Sequence, residues 1–369
     1  MGYKYEERWT ADSIEEIECK ESIGKIFKLS NVSYFCDESF ETIYFPGKTY
    51  IATAELYLWH YLYDNIAQFE YLKTQIPDLK MQMLSPVGFD GGPVEEFLKE
   101  SRKMDFGVMH SEPIDPPPHK YFEDTFKVFV DQKNITNINK SNLKFEEVYL
   151  AFDSGKYFVN IFKQHQDKFW FGVYHAYWTD KFFEQTSYKN RDLFNETWWR
   201  DIGIISMRNK LIKEIDKNKI NTPKKIFISR KDSDKRYNSN KKSNRYVENQ
   251  IGDSVEEYFV SQGYESISFE GMAYFEQLQY FRNATHIAGV VGSGFCQTIV
   301  CKPETFVTTI FLNKKYFFSY QFISRLIPYK LIELDLRRVG DDFEKIKVYL
   351  KKHIGYLKNI EDLNNAKNN

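Results

Sequence analysis

From Ala54 to Leu72, the apolar residues Leu56, Trp59, Leu62, Ile66 and Phe69 return every three or four positions, which predicts a helix. Pro77 bounds it, because proline has no N–H to give and clashes with the preceding turn. A second helix is predicted over Ile204 to Ile215 through Met207, Leu211 and Ile215. Between them, from about Phe122 to Tyr177, aromatic and β-branched residues crowd at short spacing. Lys127 to Val130 and Phe158 to Phe162 read there as strands. After Pro223 the pattern becomes regular. Lys225 to Ser229, Ser266 to Phe269, His286 to Val291, Phe306 to Phe311 and Leu331 to Leu336 are short apolar strands. Helices are predicted between them over Asn244 to Gln262, stopped by Gly263, over Ala273 to Arg282, and from near Phe295. A last helix runs from Asp341 to Leu357 on Phe343, Ile346, Leu350, Ile354 and Leu357, and the Asn-rich tail beyond is expected to fray. Strand and helix in alternation predict an α/β domain with a parallel sheet covered on both faces.

Length then divides the chain. Its 369 residues are ample for two domains. The expected parts are an N-terminal domain over 1–203, a nucleotide-binding α/β domain over 204–340, and a closing helix and tail over 341–369 that pack back on the first. Hydrophobic residues at 42% and charged residues at 28% exclude disorder as the default state. Opposite charges cancel to −1, so no global basic field invites nucleic acid, and any anion site has to be local. Cys19, Cys36, Cys296 and Cys301 form no CxxC or Cys/His cluster, which argues against structural zinc and suits a reducing compartment. No apolar h-region opens the chain and no run of about 18 apolar residues interrupts it. No membrane span is expected, and a cytoplasmic location is.

Chemistry is expected where strands end, because open α/β sheets bind ligands beyond the C-terminal ends of their strands. The strand to Val291 ends in Gly292, Ser293 and Gly294 and then opens a helix at Phe295. Backbone N–H groups at a helix start favour a phosphate, and glycines admit it closely. A plain tight turn fits the same three residues. Ser229 and Arg230 end another strand, and Arg245 and Asn249 begin the next helix. A guanidinium there grips phosphate with two donors and is always charged. Glu270 follows a third strand and suits a ribose hydroxyl pair; Glu276 and Gln277, on a helix, suit either that role or a solvent face. His60 and Asp64 lie four residues apart on one helix face, the placement of a base and the carboxylate that orients it, and equally of a solvent-facing pair. Asp232 and Asp234 have the DxD spacing of a metal site, but four cations between Arg230 and Arg236 flank them, and a neutralised surface turn is the better reading. No HxxxH, HExxH or GxSxG is present.

In this order and spacing the segments resemble glycosyltransferase family 61, most clearly from Pro223 to about Phe311. The family's strand ending in Ser-Arg resembles Ile228 to Arg230, and its Arg-x-x-x-Asn pair resembles Arg245 and Asn249. Its helix beginning near Glu-Gln resembles Phe275 to Gln277. Its His-Gly-Ala-Gly turn resembles Val291 to Gly294, with Gln297 where Asn is common. A helical His followed four residues later by an acid is similar to His60 and Asp64. Val291 in place of His and Ser293 in place of Ala are departures. The resemblance implies a GT-B fold, two Rossmann-like domains facing a central cleft. It implies an inverting transfer of a xylose- or N-acetylglucosamine-type sugar from a UDP-sugar to a glycan or glycoprotein acceptor. Arg230, Arg245, Asn249, Glu270, Glu276, Gln277, Gly292, Ser293, Gly294, Phe295 and Gln297 would bind the donor without a metal cofactor, and His60 or Asp64 would be the base. The alternatives are a polysaccharide pyruvyl transferase-like enzyme and a non-catalytic carbohydrate-binding protein on the same fold, the latter kept open by Val291.

Overall fold

A computed structural model describes residues 8–17, 25–35, 37–53, 65–85, 92–93, 124–125, 128–129, 134–137, 141–152, 198–231, 244–269, 271–312, 319–337, 339 and 342–368. The chain divides into two compact units, Met1–Lys213 and Glu214–Asn369. Among the described residues no helix is long and apolar enough to cross a membrane.

The first unit is built on a mixed sheet. Its strands are β1 (Arg8–Thr10), β2 (Ser13–Ile17), β3 (Lys25–Phe35), β4 (Thr42–Thr53), β5 (Lys80–Ser85), β6 (Gly92–Pro93), β7 (Asn134–Asn137) and β8 (Asn142–Phe152). They lie in the order β1-β3-β8-β4-β5-β7-β6, with β2 also on β3. β3 runs antiparallel to β8, and β4 runs parallel to both β8 and β5. The described part of this unit is therefore not the wholly parallel sheet of a Rossmann-like domain. Trp9, Tyr34 and Phe145 bury their rings on one face, with Trp9 and Tyr34 centred 4.8 Å apart. Val128 and Phe129 are helical where strand was expected, and Phe158 to Phe162 lie outside the described residues.

Helix α1 (Ala67–Gln75) packs on this sheet, with the Phe69 ring 5.9 Å from that of Tyr50. Only the end of the predicted Ala54 to Leu72 helix is thus described. Helix α2 (Trp198–Ile215) buries Ile204, Met207 and Leu211, as its spacing predicts. It meets α1 at Gly203, where an added Cβ would fall 1.9 Å from the Ala67 carbonyl oxygen. One turn on, the buried Glu70 carboxylate accepts hydrogen bonds from Ser206 Oγ at 2.8 Å and Lys210 Nζ at 2.6 Å. A carboxylate this deep is tolerated only when such donors replace the water it has lost.

The second unit follows the predicted alternation closely. Strands β9 (Lys225–Ile228), β10 (Glu265–Ile267), β11 (His286–Val290), β12 (Phe306–Phe311) and β13 (Lys330–Asp335) lie in the order β10-β9-β11-β12-β13. All four pairings are parallel. Helices α3 (Asn244–Ser261), α4 (Tyr274–Asn283), α5 (Ser319–Leu326) and α6 (Phe343–Asn368) complete the unit, with a 3₁₀ helix over Ser293–Val300. Gly263 closes α3 at φ +88°, a conformation glycine adopts without steric cost. The last helix lies on this sheet. Ile346, Leu350, Ile354 and Leu357 join Phe227, Phe259, Ala288 and Ile310 in one buried cluster. It also continues to Asn368, through the tail expected to fray.

The same helix carries His353, 7% exposed, whose Nε2 lies 3.0 Å from Thr308 Oγ1 of β12. Burial pushes its imidazole down from the usual 6.5 to about 4. Below pH 6.5 the unfolded chain takes up a proton that the fold refuses, so stability is complete above that pH and is lost as pH falls towards 4. The loss expected by pH 4 is about 3 kcal/mol. Melting temperatures of wild type and His353→Gln between pH 7 and pH 4 test this. The variant keeps a partner for Thr308 and loses most of the slope; equal slopes would remove His353 as its source.

Candidate functional site

The strand order of the second unit places one break in its winding. From β9 the chain crosses through α3 to β10 on one side, and then through α4 to β11 on the other. Such a reversal leaves a crevice between the C-terminal ends of the two central strands, where α/β sheets bind ligands. Here those ends are Ser229-Arg230 after β9 and Val291-Gly292 after β11. β9 and β11 are hydrogen-bonded neighbours, in register from Lys225/His286 to Ile228/Gly289.

Arg230 closes the gap between them. Its guanidinium Nη2 donates to the Val291 carbonyl. The side chain lies against Gly292, where an added Cβ would stand 1.8 Å from Nη2 and 3.0 Å from Cζ. Gly292 has extended backbone, with φ 177° and ψ 177°, so close approach and not a turn requires glycine there. The group it admits is the guanidinium, whereas the sequence suggested an anion. Gly294 is freer: an added Cβ meets only Ile228 Cγ2, at 3.8 Å. Gly292→Ala is therefore expected to displace Arg230 and to cost roughly 10- to 100-fold in activity, an effect of a misplaced charge rather than of unfolding. Adding it to Arg230→Ala should then change little. Wild-type turnover by Gly292→Ala would show that the guanidinium position is immaterial.

After Gly292 the chain enters the 3₁₀ helix without a side-chain cap. Eight residues are long for this geometry, which usually serves in single turns. The Phe295 N–H bonds to the Gly292 carbonyl at 3.0 Å, and the N-terminal end of a helix carries a partial positive charge that attracts anions. Phe295 and Gln297, further along it, are buried. Phe295 is 1% exposed and packs beneath Gly289, and Gln297 is 2% exposed. Gln297 Nε2 donates to Gln277 Oε1 at 2.9 Å. Gln277 Nε2 in turn donates to the carbonyls of Met272 at 2.9 Å and Phe269 at 3.3 Å. Gln277 and Gln297 thereby brace the loop after β10, and contact of Phe295, Gln277 and Gln297 with the donor is a proposal. Gln297 Oε1 is buried with no hydrogen-bond partner among the described residues. Glu276 is exposed on α4.

Arg230, Gly292 and Gly294 are thus brought to one rim, with the backbone of Ser293 between the glycines. Arg245 and Asn249 lie in the first turns of α3, and their side chains are outside the described residues. His60, Asp64, Glu270, Asp232 and Asp234 are also outside them. No group of three His, Cys, Asp or Glu residues suited to a metal ion occurs among the described residues.

One participant was not foreseen. Glu256 of α3 is 3% exposed and its carboxylate accepts from Ser229 Oγ at 3.1 Å and Ser266 Oγ at 2.6 Å. Lys231 Nζ stands 3.4 Å from the same carboxylate. Asp253, one turn earlier, has its carboxyl raised by burial, with Lys231 opposing and Glu256 adding to the shift. The available signal was Glu256 beside Val255 and Phe259, an acid at the margin of an apolar helix face.

The family model described as Glycosyltransferase 61 matches residues 58–308, more than half of the chain. No curated protein matches.

Proposed function

The chain belongs to glycosyltransferase family 61, and from that premise we propose that it moves a sugar from a UDP-sugar to a hydroxyl of a glycan or glycoprotein acceptor. A xylose or N-acetylglucosamine type of sugar is proposed, with inversion at the anomeric carbon. The observation that carries the donor site is Arg230 lying across Gly292 at the winding break of the parallel sheet. In this reading the acceptor oxygen forms a bond to the anomeric carbon as the bond to the diphosphate breaks. His60 or Asp64 takes the hydroxyl proton. Arg230 and the amides after Gly292 hold the negative charge that gathers on the leaving diphosphate. Arg245 and Asn249 flank it, and Glu270 binds the ribose. The facing two-domain arrangement of the GT-B type belongs to the same proposal. A reducing compartment such as the cytoplasm belongs to the same proposal, in keeping with four cysteines that form no CxxC or Cys/His cluster in the sequence.

Since a guanidinium and backbone amides do the work of a cation here, the proposed donor site needs no metal. UDP release from a panel of UDP-sugars, with and without EDTA, tests both points. Release that survives EDTA is expected. Loss restored by Mn²⁺ would return Asp232 and Asp234 as metal ligands. If UDP-sugars leave the melting temperature unchanged while GDP- or CMP-sugars raise it, the donor base proposed is wrong.

A further inference from the structure

We propose that Glu256 is a positioning residue of the donor site, acting through Arg230; this rests on the reading of Arg230 as a diphosphate ligand. Arg230 lies in the segment that leaves β9. The two residues that flank it are both held by one carboxylate. Ser229 Oγ donates to Glu256, and Lys231 Nζ pairs with it. The Lys231 N–H also bonds to Ser229 Oγ at 3.3 Å, so the three groups form one closed set. Ser229 is pinned on the backbone too, its N–H meeting the Ile267 carbonyl at 2.9 Å. With residues 229 and 231 held to Glu256 of α3, the side chain between them reaches across Gly292 to the Val291 carbonyl. Through Ser266 the same carboxylate ties in β10, the strand on the far side of β9.

A buried carboxylate with three partners at the end of two strands does more than fill space. The helix face it shares is apolar, with Val255 and Phe259 fully buried, and a leucine there would serve packing alone. What Glu256 supplies is a fixed direction for the loop that carries the guanidinium, and the geometry of a charge-stabilising donor decides how much it contributes.

The test is calorimetric titration of the full chain with UDP, on wild type, Glu256→Ala, Glu256→Gln, Ser229→Ala, Arg230→Ala and the Glu256→Ala/Arg230→Ala pair. Glu256→Ala is expected to weaken UDP binding roughly tenfold or more. Glu256→Gln, which accepts from one serine through its amide oxygen and donates to the other through its amide nitrogen, recovers part of that loss. The double variant binds no more weakly than Arg230→Ala alone, because the effect of Glu256 passes through the guanidinium. A merely structural role would lower melting temperature and leave UDP affinity unchanged, or would add its full loss to that of Arg230→Ala; either result overturns the inference. Ser229→Ala provides the same measurement should Glu256→Ala fail to fold, and wild-type affinity in that variant then counts against it. If Arg230→Ala binds UDP as wild type does, or the wild-type chain does not bind UDP, the donor-site reading fails and takes the inference with it. If Arg230→Ala is impaired and the Glu256 and Ser229 variants are not, the inference alone fails.

Discussion

Arg230→Ala is expected to lower kcat/KM for the sugar donor by roughly 30- to 1000-fold, the equivalent of about 2–4 kcal/mol of lost transition-state stabilisation. The bond to the anomeric carbon breaks as negative charge collects on the diphosphate. A guanidinium already fixed at the rim requires no reorganisation to meet that charge. Its fixing is visible in two contacts with the segment that leaves the neighbouring strand β11, the Val291 carbonyl and the bare α-carbon of Gly292. Arg230→Lys should recover only part of the loss, since an ammonium keeps the charge but not the planar fork that spans two oxygens. The deficit should fall mainly on kcat if the charge develops after donor binding, and on KM if the ground-state diphosphate is held equally well. Steady-state UDP release at several donor concentrations separates these. Turnover within a factor of two of wild type would remove Arg230 from the mechanism.

Gly203→Ala is expected to destabilise the first unit by at least about 3 kcal/mol. Alanine normally favours a helix interior over glycine by about 1 kcal/mol, so local preference predicts a gain here. Packing reverses the sign. The added Cβ falls 1.9 Å from the Ala67 carbonyl oxygen and 2.7 Å from its carbon, both backbone atoms of α1. A flexible side chain can swing aside; a helix backbone cannot. Separating α1 from α2 also stretches the bonds from Ser206 and Lys210 to Glu70, and a carboxylate 2% exposed is costly to leave unpaired. A fall in melting temperature on the order of 10 °C is expected. A melting temperature equal to or above wild type would show that the two helices part freely at this point.

The second unit was largely legible in the sequence, and the first was not. Strands such as Phe306–Phe311 are short apolar runs buried on both faces, and helices such as Tyr274–Asn283 show the 3.6-residue repeat. Their alternation is local, and so is its signal. In the first unit β4 pairs with β8, about a hundred residues further on, and β3 pairs with β8 across a similar span. Strand partners that distant leave no periodic trace, and β2, with three of its five residues charged or polar at an edge of the sheet, has little apolar pattern to read. The 3₁₀ helix was expected only as a helix, because three- and four-residue repeats are not separable over eight positions.

For the site, residue type and chain position were enough to mark Arg230 and Gly292, since strand ends in an α/β alternation can be counted along the sequence. Their junction was a matter of tertiary structure: strand order alone makes β9 and β11 neighbours, and only that places a guanidinium over a glycine some sixty residues away. The same holds for Gln277 and Gln297, whose polar character suggests ligand contact and whose place in the fold joins them to each other and to the loop after β10. Glu256 is the converse case, an ordinary helical acid whose position beneath two strand ends gives it partners. Along the chain, chemistry and period are encoded one residue at a time. Which donors meet which acceptors depends on distances between segments remote in sequence, and those exist only once the sheets are assembled.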